Sequence, residues 1–145
     1  MTTLFFSTKR AVQAIGAALL AIGLLGYIKN PVFGIFAMNG AHSFIYIVSG
    51  LLALAFALRD EHETQQFAKV VGFAYGVVSV LGFIVPDGLL LGVLEANLAD
   101  HIFHAVVAVA LLYVGFWSID REVVYREGVP RVDAGEVSAA FGERH

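Results

Sequence analysis

The stretch AVQAIGAALLAIGLLGYI, residues 11–28, carries no charged side chain over its whole length. A bilayer core about 30 Å thick is crossed by a helix of roughly 17–25 mostly apolar residues. This stretch is therefore long enough to be a transmembrane helix, the form in which backbone groups in lipid bond within their own segment. A cleavable signal peptide is the alternative interpretation, because Lys9 and Arg10 precede the apolar run.

Three further apolar stretches of similar length follow along the chain. The predicted spans are residues 41–58, 70–86 and 99–119. We expect residues 59–66 to form a short polar connection and residues 120–145 to form a polar, partly disordered tail. The sequence thus predicts an all-α transmembrane bundle of four helices in residues 1–119.

The composition agrees with a membrane protein and excludes several functional classes. Charged residues make up 14% of the chain, against about 25% in a soluble domain, so the lipid bilayer is the expected partner. No basic patch interleaved with aromatics supports nucleic-acid binding. No cysteine is present, which excludes thiolate chemistry. No phosphate loop, nucleophile elbow or metalloprotease motif favours an enzyme.

The distribution of lysine and arginine predicts the orientation of the chain. Cytoplasmic loops carry an excess of these residues. Lys29 alone lies on one side of the predicted membrane. The other eight basic residues lie on the opposite side: Lys9, Arg10, Arg59, Lys69, Arg121, Arg126, Arg131 and Arg144. We expect a multi-pass protein of the cell membrane with both termini in the cytoplasm.

Two segments before the second and fourth spans read alike. Residues 34–42 are GIFAMNGAH and residues 92–100 are GVLEANLAD, so Gly, Asn and Ala recur at an offset of 58. The first and third spans match at an offset of 60, for example at Gly16 and Gly76. The sequence predicts two tandem helical hairpins, about residues 9–58 and 69–118, related by a pseudo-two-fold axis along the membrane normal.

Small residues in the first and third spans predict where helices approach closely. Gly16 and Gly23 share one face of the first helix, and Gly72 and Gly76 form a GxxxG motif in the third. Close approach of small residues favours helix association in lipid. We expect the first and third helices to pack against each other at the centre of the bundle.

Asparagines stand where the second and fourth helices are predicted to begin. Asn39 and Asn97 suit the N-cap position, and His42 and Asp100 follow three residues later in a position typical of a capping box. The outer ends of these two helices are therefore expected to be polar.

The same helix ends carry the candidate site, because residues one turn apart share a helix face. Its predicted ligand-binding residues are His42, Tyr46, Asp100, His101 and His104. Imidazoles and a carboxylate suit zinc or another divalent metal, so the candidate metal ligands are His42, Asp100, His101 and His104. Asp100 orienting His104 for proton transfer, or paired imidazoles on haem, are alternatives. A purely structural role in capping and helix contact is the other interpretation.

These two segments resemble those of a known family. Residues 39–46, NGAHSFIY, and 97–104, NLADHIFH, are similar to the segments that open the second and fourth spans in the prokaryotic family of small four-span membrane proteins called domain of unknown function 4383. Ser43 replaces the usual Asn and Tyr46 the usual His. The resemblance covers about residues 9–118 and implies the fold and the repeat, without implying an activity.

Two functions agree with the sequence. A small chain with short loops and no catalytic motif favours a non-enzymatic scaffold or an accessory subunit of a larger membrane complex, with a homo-oligomer as one form. The alternative is a module that binds a metal, haem or small ligand at the outer face. Transport of a proton or small solute has less support, because four short helices leave little room for a pathway.

Overall fold

The computed structural model describes residues 7–85, 88–90 and 92–117. Within these residues the chain forms four helices, α1 (Thr8–Ile28), α2 (Gly40–Phe56), α3 (Glu61–Ile84) and α4 (Leu98–Trp117). Helices α1, α3 and α4 are long and apolar enough to cross a membrane, whereas α2 is apolar but has 17 residues. The all-α prediction is confirmed. The predicted tail from residue 120 onward lies outside the described residues.

Helix α3 begins nine residues before the predicted third span. Asp60 is its N-cap and accepts a hydrogen bond from the backbone N–H of Glu63 at 2.8 Å. Glu61 and Glu63 lie in the first turn, where negative charge is favourable beside the positive helix end. The prediction of a polar connection over residues 59–66 was therefore wrong for residues 61–66, because polar residues at this helix start favour the helix.

Each helix packs most closely on its chain neighbour, α1 on α2 and α3 on α4. A Cβ atom added to Gly16 would lie 2.8 Å from the Ala53 Cβ, and one added to Gly23 would lie 2.8 Å from the Ser43 backbone oxygen. Gly72 approaches α4 in the same way, with Leu111 and Leu112 3.0 Å from an added Cβ. The expectation that the glycine faces join α1 to α3 was wrong. These faces instead pack α1 against α2 and α3 against α4, within each hairpin.

A short β-hairpin, which the sequence did not predict, precedes α4. Strands β1 (Gly88–Leu90) and β2 (Leu94–Ala96) pair antiparallel, with Leu90 opposite Leu94. Before α2, an isolated bridge joins Val32 and Phe36. Each of these two turns contains a glycine with φ of +73°, Gly34 before α2 and Gly92 before α4. Glycine adopts this backbone conformation without steric cost.

Buried positions recur between the two hairpins at fixed offsets. The buried residues of α1 are Thr8, Val12, Gly16, Leu19 and Gly23, and at an offset of 56 they become buried residues of α3 (Thr64, Ala68, Gly72, Tyr75 and Ser79). The buried residues of α2 are His42, Ser43, Tyr46, Gly50 and Ala53, and at an offset of 58 they become buried residues of α4 (Asp100, His101, His104, Ala108 and Leu111). The sequence-based offset of 60 between α1 and α3 therefore does not match the burial pattern.

Thr8 and Thr64, which occupy matched positions of α1 and α3, each contact the other hairpin. Thr8 Oγ1 donates to the backbone oxygen of Val114, 3.4 Å away. Thr64 Oγ1 lies within hydrogen-bond distance of two backbone oxygens, that of Phe56 at 2.9 Å and that of Asp60 in its own helix start at 2.8 Å. Val114 follows Phe56 at the offset of 58. At this end of the bundle, matching threonines therefore contact matching backbone oxygens of the opposite hairpin.

The glycine contacts predict different effects of alanine at Gly16 and Gly76. We expect Gly16→Ala to lower the free energy of unfolding by about 1–3 kcal/mol, because its methyl group would overlap Ala53. Gly76→Ala is the matched control: its Cβ would lie 3.7 Å from Ala108, and alanine favours helix. Reversible unfolding in lipid bicelles measures both, and equal losses would contradict the packing described.

Candidate functional site

Asn39 and Asn97 each cap a helix and hold the loop of the other hairpin. Asn39 Oδ1 accepts from the backbone N–H of His42 at 2.9 Å, as the N-cap of α2, and Asn39 Nδ2 donates to the backbone oxygen of Val93 at 2.7 Å. Asn97 Nδ2 donates to the backbone oxygen of Ile35, also at 2.7 Å. The two amides thus form crossed bonds between the loops that precede α2 and α4. We name this part of the molecule the Asn39–Asn97 end.

Asp100 completes a reciprocal cap with Asn97. Asn97 Oδ1 accepts from the backbone N–H of Asp100 at 3.1 Å, and Asp100 Oδ2 accepts from the backbone N–H of Asn97 at 2.9 Å. Asp100 Oδ2 also accepts from the backbone N–H of Ala37, 3.1 Å away in the first loop. The carboxyl group is fully buried. One oxygen of Asp100 therefore joins its own helix start to the other hairpin.

His42 makes the matching contact from the first hairpin to the second. Its Nδ1 lies 2.6 Å from the backbone oxygen of Glu95. A carbonyl oxygen only accepts hydrogen bonds, so Nδ1 carries the hydrogen and donates it. Glu95 follows Ala37, and Asp100 follows His42, at the same offset of 58. His42 and Asp100, which are matching positions, thus each contact the loop of the other hairpin.

One turn deeper, Tyr46 and His104 meet across the bundle. The Tyr46 hydroxyl lies 3.2 Å from His104 Nε2, within hydrogen-bond distance. The His104 ring stacks on that of His42, with centroids 5.5 Å apart, and packs at 5.4 Å against Tyr75 of α3. The structure therefore brings His42, Tyr46 and His104 into one aromatic and polar contact.

His101 lies beside this contact in different surroundings. Its ring packs against Gly82, where an added Cβ would overlap the imidazole, and its centroid is 5.9 Å from that of Phe83. Ser79 Oγ donates to the His101 backbone oxygen at 2.9 Å. Because His101 faces α3 while His42 packs on Tyr46 and His104, the two histidines do not occupy a common aromatic environment. The haem interpretation gains no geometric support.

We name the five predicted site residues, His42, Tyr46, Asp100, His101 and His104, the polar cluster. All five are buried. Four buried polar atoms of the cluster have no hydrogen-bond partner: His42 Nε2, Asp100 Oδ1, His101 Nδ1 and His104 Nδ1. Buried polar groups are nearly always paired, so four unpaired atoms at one end of a small bundle call for an explanation.

The cluster does not have the form of a metal centre. In the part of the chain that the structure describes, no three or more His, Cys, Asp or Glu side chains are grouped so that they could hold a metal ion. The metal ligation predicted for His42, Asp100, His101 and His104 therefore receives no support from the geometry.

Some partners of the cluster could not be found from sequence patterns. Ala37 and Glu95 act through backbone atoms, which leave no trace in residue identity. Tyr75 does leave a signal, since it is a lone tyrosine deep in an apolar span. Tyr75 could therefore have been named as a candidate residue from the sequence.

A known protein family matches most of this chain. The family model described as Domain of unknown function (DUF4383) matches residues 9–117. The chain is a member of this family. The DUF4383 match includes both helix starts that form the polar cluster. No curated protein and no solved structure gives a match.

Proposed function

We propose that this DUF4383 protein is a small membrane-embedded binding module whose site is the polar cluster. The observation that carries the proposal is the set of four unpaired buried atoms on His42, Asp100, His101 and His104. Leaving a buried donor or acceptor unpaired costs about 1–3 kcal/mol each. A guest that bonds to several of these atoms would recover much of that cost.

The packing of the cluster limits the size of the guest. The Tyr46 ring lies 4.8 Å from that of His42 and 5.6 Å from that of His104, both in edge-to-face contact. Rings already in contact exclude any guest larger than a few atoms. A small hydrogen-bonding guest therefore fits better than haem.

We propose that the module spans the membrane four times, with α2 as the shortest span and the Asn39–Asn97 end outside the cell. The surplus of Lys and Arg beyond the opposite end supports this orientation. Labelling single cysteines at Phe33 and Leu58 from either side tests it, because the chain has no native cysteine. Reaction of Leu58→Cys from outside intact cells would contradict it.

We also propose that the two hairpins are copies of one unit about a pseudo-two-fold axis along the membrane normal. The matched burial at offsets of 56 and 58, the two glycines of equal φ and the crossed asparagine bonds support this proposal. Tyr46 and His104, which are also 58 positions apart, would then meet on the axis.

The stability of the cluster tests the binding proposal while the guest is still unidentified. The double variant Tyr46→Phe/His104→Phe removes both partners of the hydrogen bond between Tyr46 and His104. It also removes His104 Nδ1, one of the four unpaired atoms. If the atom is truly unpaired, this change is nearly neutral or stabilising. We expect instead a loss of about 1–3 kcal/mol in the free energy of unfolding, because a guest loses its contacts.

Controls separate this effect from packing. Tyr46→Phe/His104→Leu repeats the change with a smaller side chain, and Tyr113→Phe removes an exposed hydroxyl of α4. Unfolding in bicelles of protein purified from native membranes measures all of them. If both double variants are as stable as the parent, or more stable, the binding proposal is wrong.

A second candidate is the scaffold or accessory subunit, and one observation favours it. An open apolar hollow of about 340 Å³ lies on the surface of α3 and α4, lined by Phe73, Gly76, Val77, Val80, Leu81 and Leu112. In the first hairpin, the position that matches Gly76 is Leu20, whose Cβ would lie 2.9 Å from a Cβ atom added to Gly50. A helix of another subunit could enter the hollow. Native purification should then return an oligomer or complex, and a lone monomer would contradict this candidate.

A further inference from the structure

We infer that the groove between α3 and α4 holds one phospholipid, with an acyl chain in the apolar hollow and the phosphate group beside Lys69. This inference goes beyond the proposed binding function, because no residue of the polar cluster takes part. It requires that α3 and α4 face lipid, and both helices are long and apolar enough to cross a membrane. It starts from the hollow of about 340 Å³ and from the lysine at one end of it.

The hollow exists because Gly76 has no side chain. A Cβ atom added to Gly76 would lie 3.7 Å from the Ala108 Cβ, in ordinary contact. The Leu112 side chain of α4 leaves this place open, since it lies against Gly72, 3.0 Å from a Cβ atom added there. Exposed apolar side chains of α3 form most of the remaining wall: Phe73, Val77 and Val80. The hollow therefore opens toward the surroundings of the bundle, which in a membrane are acyl chains.

Lys69 lies at one end of the hollow. Positions 69, 73, 76 and 80 are three or four residues apart and share one face of α3. The aliphatic part of Lys69 lies between the helices, because its Cγ is 2.9 Å from a Cβ atom added to Gly115. Its Nζ lies 5.0 Å from the ring centroid of Phe116, which is one turn beyond Leu112 on α4. The apolar hollow and the ammonium group thus belong to one continuous groove.

The length of this groove matches one leaflet of a bilayer. Val80 follows Lys69 by 11 positions, which is about 16 Å at a rise of 1.5 Å per residue. Half of a bilayer core is about 15 Å thick. Tyr113 and Trp117, whose rings stack with centroids 6.2 Å apart, lie at the same end of α4, and such aromatics favour the membrane–water interface. Lys69 therefore lies at the depth of phospholipid headgroups.

The charge at this end of the groove favours a phosphate group. Lys69 is the only charged residue of α3 after Glu63, which lies six residues earlier, about 9 Å along the helix and about one Debye length away. In lipid, burial of an acyl chain brings no hydrophobic gain, so packing and this charge decide which lipid is retained. A helix of another subunit would need an acidic side chain opposite Lys69, whereas every phospholipid carries a phosphate.

The first hairpin has neither feature at the matching positions. At the offset of 56, Lys69 matches Gln13 and Gly76 matches Leu20. The Leu20 Cβ lies 2.9 Å from a Cβ atom added to Gly50, so a side chain stands where α3 has none. We therefore expect the lipid on the second hairpin, and the first hairpin supplies the substitutions that should remove it.

Native mass spectrometry of the whole protein tests the inference, with nanodiscs of phosphatidylglycerol and phosphatidylcholine in equal parts and with the same acyl chains. We expect the parent protein to retain one phospholipid, with a preference of about fivefold for the anionic phosphatidylglycerol. Gly76→Leu should retain neither lipid, because the new side chain fills the hollow. Lys69→Gln should retain both lipids equally, because packing remains and the charge is lost.

Two substitutions at exposed positions are the controls. Ala74→Leu adds the same side chain to another face of α3, and Arg59→Gln removes a positive charge just before this helix. Neither should change the amount or the class of the retained lipid. If Gly76→Leu does not fold, the comparison of Lys69→Gln with Arg59→Gln decides.

Three results would overturn the inference. The first is equal retention of lipid by the parent and by Gly76→Leu, and the second is an anionic preference that persists in Lys69→Gln. The third is a lipid-free oligomer or complex that Gly76→Leu dissociates, which would assign the hollow to a subunit helix. None of these results involves Tyr46 or His104, so the lipid site and the binding function of the polar cluster stand or fail separately.

Discussion

Two amide side chains join the hairpins of this protein across the ends of their loops. Asn39 and Asn97 each use the oxygen to start a helix and the nitrogen to hold a backbone oxygen of the opposite loop, at 2.7 Å in both directions. In lipid, apolar matching does not draw helices together, so packing and polar bonds decide which surfaces meet. Polar groups at this end therefore join one hairpin to the other, while close glycine contacts hold each hairpin together.

The polar cluster depends on this arrangement. Once the loops are crossed, His42 reaches the Glu95 backbone and Asp100 reaches that of Ala37, and both side chains are buried beneath the loops. The same bonds that order the cluster leave one nitrogen of His42 and one oxygen of Asp100 without a partner. The residues that hold the hairpins together are thus also the residues of the proposed binding site.

Much of the fold could be predicted from the sequence, because long apolar runs without charge admit few structures other than helices. The asparagines at the starts of α2 and α4 and the polar residues after them were found by their spacing. Helix α3 was predicted too short, since Glu61 and Glu63 suggested a loop although they suit a helix start. The glycine faces were assigned to the wrong neighbour, because a small residue indicates close approach without naming the partner. The crossed asparagine bonds end on the backbone of Ile35 and Val93, and the contacts of Asp100 and His42 end on that of Ala37 and Glu95; residue identity does not encode these backbone partners.

The most direct test of this account is a double-mutant cycle on the crossed asparagines, measured as free energy of unfolding in bicelles. Asn39→Ala and Asn97→Ala should each cost about 0.5–2 kcal/mol as lost helix caps. Because either bond keeps the loops in place for the other, the double variant should lose less than the sum, with a coupling of about 0.5–3 kcal/mol. Losses that add within about 0.3 kcal/mol would show two independent caps, and would contradict the claim that these side chains join the hairpins.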